Sequence, residues 1–404
     1  MSALLNSLPL EILQTILWIA CQKPQPSKAY VNPWNHNPPR TTSLEGVCTL
    51  WRDSMYCYPY FWSHIKLFVI GRNSFSRYQL AGLWVRRVGG AHLDVTVVEE
   101  HEIVHTEDSD SEEEETWNTV GATDSDIDRV VRFLAPLMNQ VQSLNVLGNS
   151  RTAGKLCREL VMCWAAHGSI GLAKSLDIVM PEGLHSLQIP SAGDYRMQPE
   201  FSGSFADLTS FFGSLSSLRL LNTNFEQGYT TFSELVELSL EGMSEWSPAL
   251  REMGEILAAN PKLRVLKLIN VQINLASSAP PPTPIALDDL RVLRIETSET
   301  DTPWVLLGLI NSRSESIHLA LSIRGNPGSL DEVASFLIRC RVTVLTLDLA
   351  MYFGTVVPFL VPMPYLQAAC FRFTFYDPVN WDSRFPKNPS RLDISNLWPN
   401  LRIL

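Results

Sequence analysis

The segments LRVLKL, residues 263–268, and LRVLRI, residues 290–295, decide the fold of this chain. Each carries leucine or isoleucine at its fourth and sixth positions, which point to the same side of an extended strand. Stretches with the 3.6-residue periodicity of an amphipathic helix lie between these segments and their counterparts elsewhere in the chain. The alternation of strand and helix predicts an α/β fold with a parallel sheet.

Variants of L-x-x-L-x-L recur from residue 141 to the end of the chain. Their fourth positions lie 20–32 residues apart, except for one interval of 11. This period is typical of leucine-rich repeats. It predicts an irregular solenoid over residues 67–404, with parallel strands on the concave side and helices on the convex side. A non-repetitive α/β domain is the alternative. The predicted strands cover residues 141–146, 173–178, 184–189, 215–220, 235–240, 263–268, 290–295, 314–319, 342–347, 368–373 and 398–403.

The interval of 11 residues predicts an extra strand, or an irregular repeat, at residues 184–189. The segments between the strands have the apolar spacing of short helices. The predicted helices cover residues 127–137, 153–166, 205–215, 249–260, 304–311 and 329–340.

Two further helical patterns precede the repeats. SLPLEILQTILWIAC, residues 7–21, places apolar side chains at i, i+3 and i+4, and the segment from residue 41 to 67 does so again. The first face holds Ile12, Leu13 and Ile16, and the second holds Leu44, Val47, Cys48 and Trp51. Residues 22–40 between them are rich in proline and predict a surface loop. Two short helices cannot bury a core alone, so they must pack on the rest of the chain or on another protein.

The ordered blocks LPxEIL, SLxxVCxxWR and FWSxI, from residue 8 to 65, resemble the F-box of fungal F-box proteins. The resemblance implies a small helical domain at residues 1–66, which docks on a Skp-type adaptor of a cullin-type ubiquitin ligase. The insert at 22–40 is longer than in compact family members. Trp62 and Ile65 are expected to anchor this domain to the first strand. The resemblance implies adaptor contacts from Leu8, Pro9, Ile12, Leu13, Ile16, Val47, Trp51 and Trp62.

The formal net charge of −10 is concentrated in one segment. Residues 99–128 hold 13 acidic side chains and no lysine or arginine, which leaves 29 acidic against 32 basic residues elsewhere. We predict a disordered acidic loop at about residues 101–126. Ser109 and Ser111, each with an acidic residue three positions on, are candidate phosphorylation sites.

HEIVH at residues 101–105 fits the zinc motif HExxH, which needs a helix to bring both histidines to one metal ion. It follows a β-patterned segment, so we interpret it as a chance match and expect no metal site. No phosphate-binding glycine loop, nucleophile elbow or basic aromatic stripe is present in the sequence. We therefore predict a chain without catalytic activity, cofactor or nucleic-acid partner.

The seven cysteines form no CxxC pair, and no apolar run approaches the length of a membrane span. These features favour reduced thiols in the cytoplasm or the nucleus, without a membrane contact. The combined hypothesis is a substrate-recognition subunit of a cullin-type ligase, whose repeats bind an unknown protein target. The alternative is an interaction scaffold in which the N-terminal helices only cap the solenoid. Target contacts are predicted for the strand residues Arg219, Glu237, Lys267, Arg294 and Thr346.

Overall fold

A computed structural model of the chain shows two compact units, residues 1–173 and 174–404. Both units are α/β, and the predicted class with parallel strands is confirmed. The structure describes residues 9–21, 47–69, 74–99, 102–103, 119–150, 152–180, 205–223, 232–243, 248–274, 284–297, 304–324, 331–350, 361–373 and 399–401.

The first unit contains a parallel sheet in the order β1-β2-β5, with helices between its strands. Short 3-10 turns at Pro59–Phe61 and Ala135–Gln140 precede β1 and β5. The elements are α1 (Leu10–Cys21), α2 (Thr49–Tyr56), β1 (His64–Val69), α3 (Ser74–Val88), β2 (Leu93–Glu99), β3 (Glu102–Ile103), β4 (Thr119–Val120), α4 (Asp124–Leu134), β5 (Val141–Leu147) and α5 (Ala153–His167).

The core of the first unit follows the register of this sheet. Ile65 lies opposite Val95, which in turn lies opposite Leu144, and all three side chains are buried. Because side chains alternate along a strand, one face of each strand joins this core. The N-terminal helices belong to the same unit. The predicted boundary between residues 66 and 67 falls inside β1.

Two local predictions in the first unit need correction. The second helix begins at Thr49, with Cys48 as its N-cap residue, so Val47 and Cys48 precede it. The acidic loop ends sooner than predicted, because β4 lies within it and α4 begins at Asp124. The side chain of Thr123 accepts a hydrogen bond from the Asp126 amide and fixes that helix start. Ser109 and Ser111 lie outside the described residues.

The second unit contains a parallel sheet in the order β6-β7-β8-β9-β11-β13-β14-β15. A separate two-stranded parallel pair joins β10 to β12. The elements are β6 (Ser175–Val179), α6 (Phe205–Gly213), β7 (Ser217–Leu221), β8 (Glu237–Glu241), α7 (Leu250–Ala259), β9 (Val265–Ile269), β10 (Ile285–Ala286), β11 (Val292–Thr297), α8 (Trp304–Leu309), β12 (Ile310–Asn311), β13 (Ile317–Arg324), α9 (Asp331–Arg339), β14 (Val342–Ala350) and β15 (Ala368–Phe373).

One column of apolar side chains crosses this sheet at equivalent positions. From β6 to β14 it consists of buried leucines. The register assigns Leu319 and Ala369 to the column, whereas the sequence alignment placed residues 317 and 371 there. Each predicted position is off by two residues. A shift of two along a strand keeps the same side chains pointing to the buried face, so the sequence pattern does not detect it. The column is Leu176, Leu218, Leu238, Leu266, Leu293, Leu319, Leu345 and Ala369.

The predicted extra strand at residues 184–189 lies outside the described residues, as does half of the one at 398–403. Strand β6 is hydrogen-bonded directly to β7, with Leu176 opposite Leu218. No strand is therefore inserted between them in the sheet. The remaining predicted strands and helices coincide with observed elements to within a few residues.

Candidate functional site

Helix α1 separates two kinds of apolar side chain. Leu13 and Leu17 are buried, whereas Ile12, Ile16 and Ile19 are 48%, 41% and 62% exposed. The three isoleucines follow the spacing i, i+4 and i+7, so they form one stripe on the helix surface. We refer to these three residues as the isoleucine stripe. Clustered exposed apolar side chains commonly mark a surface that binds a partner.

The other residues predicted to bind an adaptor divide between the surface and the interior. Pro9 is exposed and its carbonyl oxygen accepts the amides of Ile12 and Leu13, which starts α1. Val47 is 58% exposed and Trp51 is partly buried. Leu8 lies outside the described residues.

Leu13 and Trp62 are only 1% exposed, so they lie inside the first unit and not on a free surface. The indole Nε1 of Trp62 donates to the Met55 carbonyl oxygen at 2.9 Å. The guanidinium of Arg87 lies 4.3 Å from the ring centroids of both Tyr56 and Trp62. A cation over an aromatic face is attracted by the ring quadrupole. Trp62 therefore joins α2 to α3.

The residues predicted to bind a target lie between the buried leucines on one face of the second unit's sheet. Arg219, Glu237, Lys267 and Arg294 lie on the neighbouring strands β7, β8, β9 and β11. Thr346 lies further along the sheet, on β14, where its hydroxyl is 3.3 Å from the imidazole of His318. The structure thus brings four of the five together. The charged strand face, as we name it, comprises Asp177, Arg219, Glu237, Ser239, Glu241, Lys267, Arg294 and Glu296.

Opposite charges on this face are paired across neighbouring strands. Arg219 donates from Nε to Glu241 Oε1 at 3.1 Å, and the Ser239 hydroxyl donates to the same oxygen at 2.8 Å. Lys267 donates to Glu237 at 3.1 Å. Their side chains are between 15% and 44% exposed, so the pairs are partly shielded from water. Charge-assisted hydrogen bonds in such surroundings hold side chains in fixed positions.

Asp177 on β6 was missed by the sequence analysis. It lies opposite Arg219 in the register, and its carboxylate is 3.7 Å from the Arg219 guanidinium. Burial raises the pKa of the Asp177 carboxyl to about 6, because the loss of water outweighs the attraction of Arg219. Glu241 and Glu237 add to the rise. The sequence signal was available, because Asp177 follows the fourth repeat position as Arg219 and Lys267 do.

A second buried carboxylate, Glu99, lies at the end of β2 and is fully enclosed. Three backbone amides and two hydroxyl groups donate to it at 2.5–3.1 Å. These donors come from two loops, around residues 122 and 149–152. The carboxylate therefore occupies an anion-binding nest built by its own chain. Its hydrogen bonds hold the two loops against the end of β2.

Within the described ranges, the other candidate chemical groups do not assemble into a site. Glu102 and Ile103 of the HEIVH segment form β3, antiparallel to β4, whereas the zinc motif requires a helix. His101 and His105 lie outside the described residues. Burial raises the pKa of the Cys157 thiol, and that of Cys163 to about 11, which keeps both thiols neutral.

A polar cleft of about 290 Å³ lies at one edge of the second unit's sheet, before strands β13 to β15. The guanidinium of Arg341 lies over the ring of Tyr365, 4.4 Å from its centroid. The cleft is lined by Glu315, Arg341, Thr343, Tyr365, Gln367 and Asn400.

No protein-family model matches the chain, and no curated protein shows significant sequence similarity to it. Across the described ranges, each helix is too short or too polar to cross a membrane. The function therefore has to be inferred from the two surfaces, the isoleucine stripe and the charged strand face.

Proposed function

We propose that this chain is the substrate-recognition subunit of a cullin-type ubiquitin ligase. Residues near the N terminus bind a Skp-type adaptor, and the second unit binds a protein target. The chain itself does no chemistry. It raises the effective concentration of the target near a ubiquitin-charged enzyme that the cullin scaffold holds. The isoleucine stripe is the observation that carries this proposal.

The stripe favours docking because the helix already has a buried face. Leu13 and Leu17 fill the interior of the first unit, so the fold does not need Ile12, Ile16 and Ile19 in exposed positions. Each of these isoleucines is about half exposed, so each gives up roughly half of the 1.5–3 kcal/mol that full burial supplies. A partner that covers the stripe recovers this energy. An adaptor that binds the F-box-like segment is such a partner.

The second unit fits the role of target receptor. Its strands repeat in register, and its sheet offers a row of charges that are paired across neighbouring strands. We infer that it is an irregular leucine-rich-repeat solenoid with its strands on the concave side. Such arrays bind partners through extended surfaces. On this proposal the chain works in the cytoplasm or the nucleus, where its free cysteines stay reduced.

The alternative is an interaction scaffold without a ligase role. The burial of Leu13 and Trp62 favours it, because both side chains lie in the interior of the first unit and not on a free surface. In that case α1 and α2 only cover one end of the fold. The two functions differ in whether the isoleucine stripe contacts an adaptor.

The test is adaptor binding by the full-length chain and by an Ile16→Glu variant, measured by calorimetry with a purified Skp-type adaptor. We expect tight binding by the wild type and a loss of about 30-fold or more in the variant, because buried interface anchors contribute about 2 kcal/mol or more. The matched control is Ile338→Glu, which changes a 63% exposed isoleucine on α9 in the second unit.

Circular dichroism of both variants must match the wild type, so that a loss of binding reports the surface and not the fold. Absence of adaptor binding by the wild type would favour the scaffold. Equal losses in Ile16→Glu and Ile338→Glu would rule out the stripe as the docking surface.

A further inference from the structure

Among the described residues, the charged strand face has one basic side chain fewer than it has carboxylates at the end formed by β6, β7 and β8. Three carboxylates lie there, those of Asp177, Glu237 and Glu241. Two basic side chains, Arg219 and Lys267, form ion pairs with them. Lys267 is hydrogen-bonded to Glu237 at 3.1 Å. Arg219 is therefore shared between the two remaining carboxylates.

Arg219 is shared unequally. Its Nε and Nη2 donate to the two oxygens of Glu241 at 3.1 Å and 3.5 Å, which is the fork-like geometry of a bidentate pair. Its distance of 3.7 Å to Asp177 Oδ2 is too long for a hydrogen bond. The other carboxylate oxygen, Asp177 Oδ1, is buried and has no hydrogen-bond partner within the described part of the chain.

An incompletely paired carboxylate on a binding surface favours partners that place a basic side chain opposite it. A partner removes the remaining water from the face, so an unpaired charge becomes more costly when the complex forms. An apolar or acidic side chain opposite Asp177 adds to this cost, whereas a basic side chain offsets it. The raised pKa of Asp177 has the same origin, because this carboxylate lacks sufficient stabilisation in the free chain.

We propose that the protein segment bound by the charged strand face carries an arginine or lysine that pairs with Asp177. The side chain of Asp177 is 25% exposed, so an incoming cation can approach it from the surface of the face. The new pair leaves Arg219 with Glu241 and Lys267 with Glu237. This inference rests on the proposed function, since it specifies the target that the second unit binds.

The experiment selects peptides from a random library displayed on phage, with the immobilised full-length chain as bait at pH 7.5. We expect the selected peptides to share a basic residue. Replacing that residue by glutamine in a synthetic peptide should weaken binding about tenfold or more. Lowering the pH from 7.5 to 5 should weaken binding by about tenfold as well, because Asp177 becomes protonated below about pH 6.

The variant Asp177→Asn should lose both effects, the preference for a basic residue and the dependence on pH. The matched control is Asp348→Asn on the same face of the sheet. The Asp348 carboxylate forms an ion pair with Arg372 at 3.5 Å. It should keep both effects. The measurements on the wild-type chain stand even if a variant folds poorly.

Selected peptides without a common basic residue would overturn the inference and leave target binding by this face intact. Unchanged behaviour of Asp177→Asn would overturn it too. If no peptide is selected, both the inference and the target-binding role of the face fail. Adaptor binding through the isoleucine stripe is measured separately, so the two halves of the proposed function are tested independently.

Discussion

Two carboxylates with opposite surroundings, Glu99 and Asp177, show how single residues shape this molecule. Glu99 receives five hydrogen bonds from loops that follow it by 23 to 53 positions in the sequence. The Arg219 guanidinium lies 3.7 Å from the Asp177 carboxylate, and the other oxygen of this carboxylate has no hydrogen-bond partner among the described residues. The repeat position of Asp177 placed it with Arg219 and Lys267, but its incomplete pairing and the role of Glu99 could not be predicted from the sequence. Glu99 begins an acidic run that resembles a solvated segment, and its donors are remote in sequence.

We predict that Glu99→Gln destabilises the first unit by about 2–4 kcal/mol. The amide group of glutamine replaces one acceptor oxygen by a donor, which then faces the donors at Ala122 or at Asn149 and Ser150. Urea unfolding followed by tryptophan fluorescence measures the change. Glu255→Gln is the control, because that exposed side chain only pairs with Arg251 on the same helix, and it should cost less than about 0.5 kcal/mol. Equal stability of Glu99→Gln and wild type would contradict the structural role of Glu99.

A second residue-scale prediction concerns the pH dependence of stability. The folded chain raises the pKa of Asp177 from 3.8 to about 6, so the folded state binds this proton more tightly than the unfolded state does. The stabilisation is complete below about pH 4 and is lost as the pH rises through about 6. We expect the free energy of unfolding to fall by about 1–3 kcal/mol over this interval because of Asp177.

Asp177→Asn should remove that part of the pH dependence and should be more stable than wild type at pH 7.5. Urea unfolding at pH 5 and at pH 7.5 gives the four free energies required. The exposed Asp289→Asn serves as the control and should follow the wild-type profile. A variant that is less stable than wild type at pH 7.5 would show that pairing with Arg219 outweighs the loss of water.

At the scale of the elements, three strands of the second unit each end in a turn of the same type. Asn222, Gly242 and Asn270 have φ values of 54°, 66° and 52°, and each follows its strand directly. Each amide donates to the end of the next strand, at Glu241, Ile269 and Glu296. Left-handed backbone favours glycine and asparagine.

The strands themselves were predictable because their leucines alternate with polar residues. The exact register was not, since a shift of two positions preserves that alternation. The turns were harder to predict, because an isolated asparagine or glycine after a strand occurs in many loops. Only the backbone shows that three of them repeat one conformation.

We predict that Gly242→Ala destabilises the second unit by about 2–4 kcal/mol. A Cβ atom at this position would lie 1.9 Å from the side-chain oxygen of Asn222. Asn222 would have to move, although its amide group donates to the Met180 carbonyl oxygen at 2.8 Å. Left-handed backbone adds about 1 kcal/mol for an alanine.

The control for Gly242→Ala is Gly308→Ala on α8, where the nearest atom to an added Cβ is the flexible Glu332 side chain at 3.4 Å. That change should be neutral or slightly stabilising, because alanine favours a helix. Thermal unfolding of both variants provides the comparison. Similar melting temperatures would indicate that the turn tolerates a side chain.

For the whole molecule, the main difference from the sequence prediction is the place of the N-terminal helices. The F-box resemblance predicts a separate domain at residues 1–66, whereas the structure includes these residues in a unit that extends to residue 173. The pattern of apolar residues could not distinguish the two arrangements. Leu13 and Ile12 are both apolar and adjacent, yet one is buried and the other is nearly half exposed.

This arrangement predicts the consequence of deleting residues 1–66. The deletion removes Trp62 and Ile65 from the interior and half of β1, which pairs with β2 along its whole length. We expect the backbone amides of β2 to exchange with deuterium at least about tenfold faster in the truncated chain, because local stability depends on buried contacts. Ile16→Ser, which changes an exposed position of α1, is the control and should leave exchange in β2 unchanged. If β2 stays as protected after the deletion as in the full chain, residues 1–66 are an independent module. The isoleucine stripe would then belong to a separable docking domain and not to a face of the first unit.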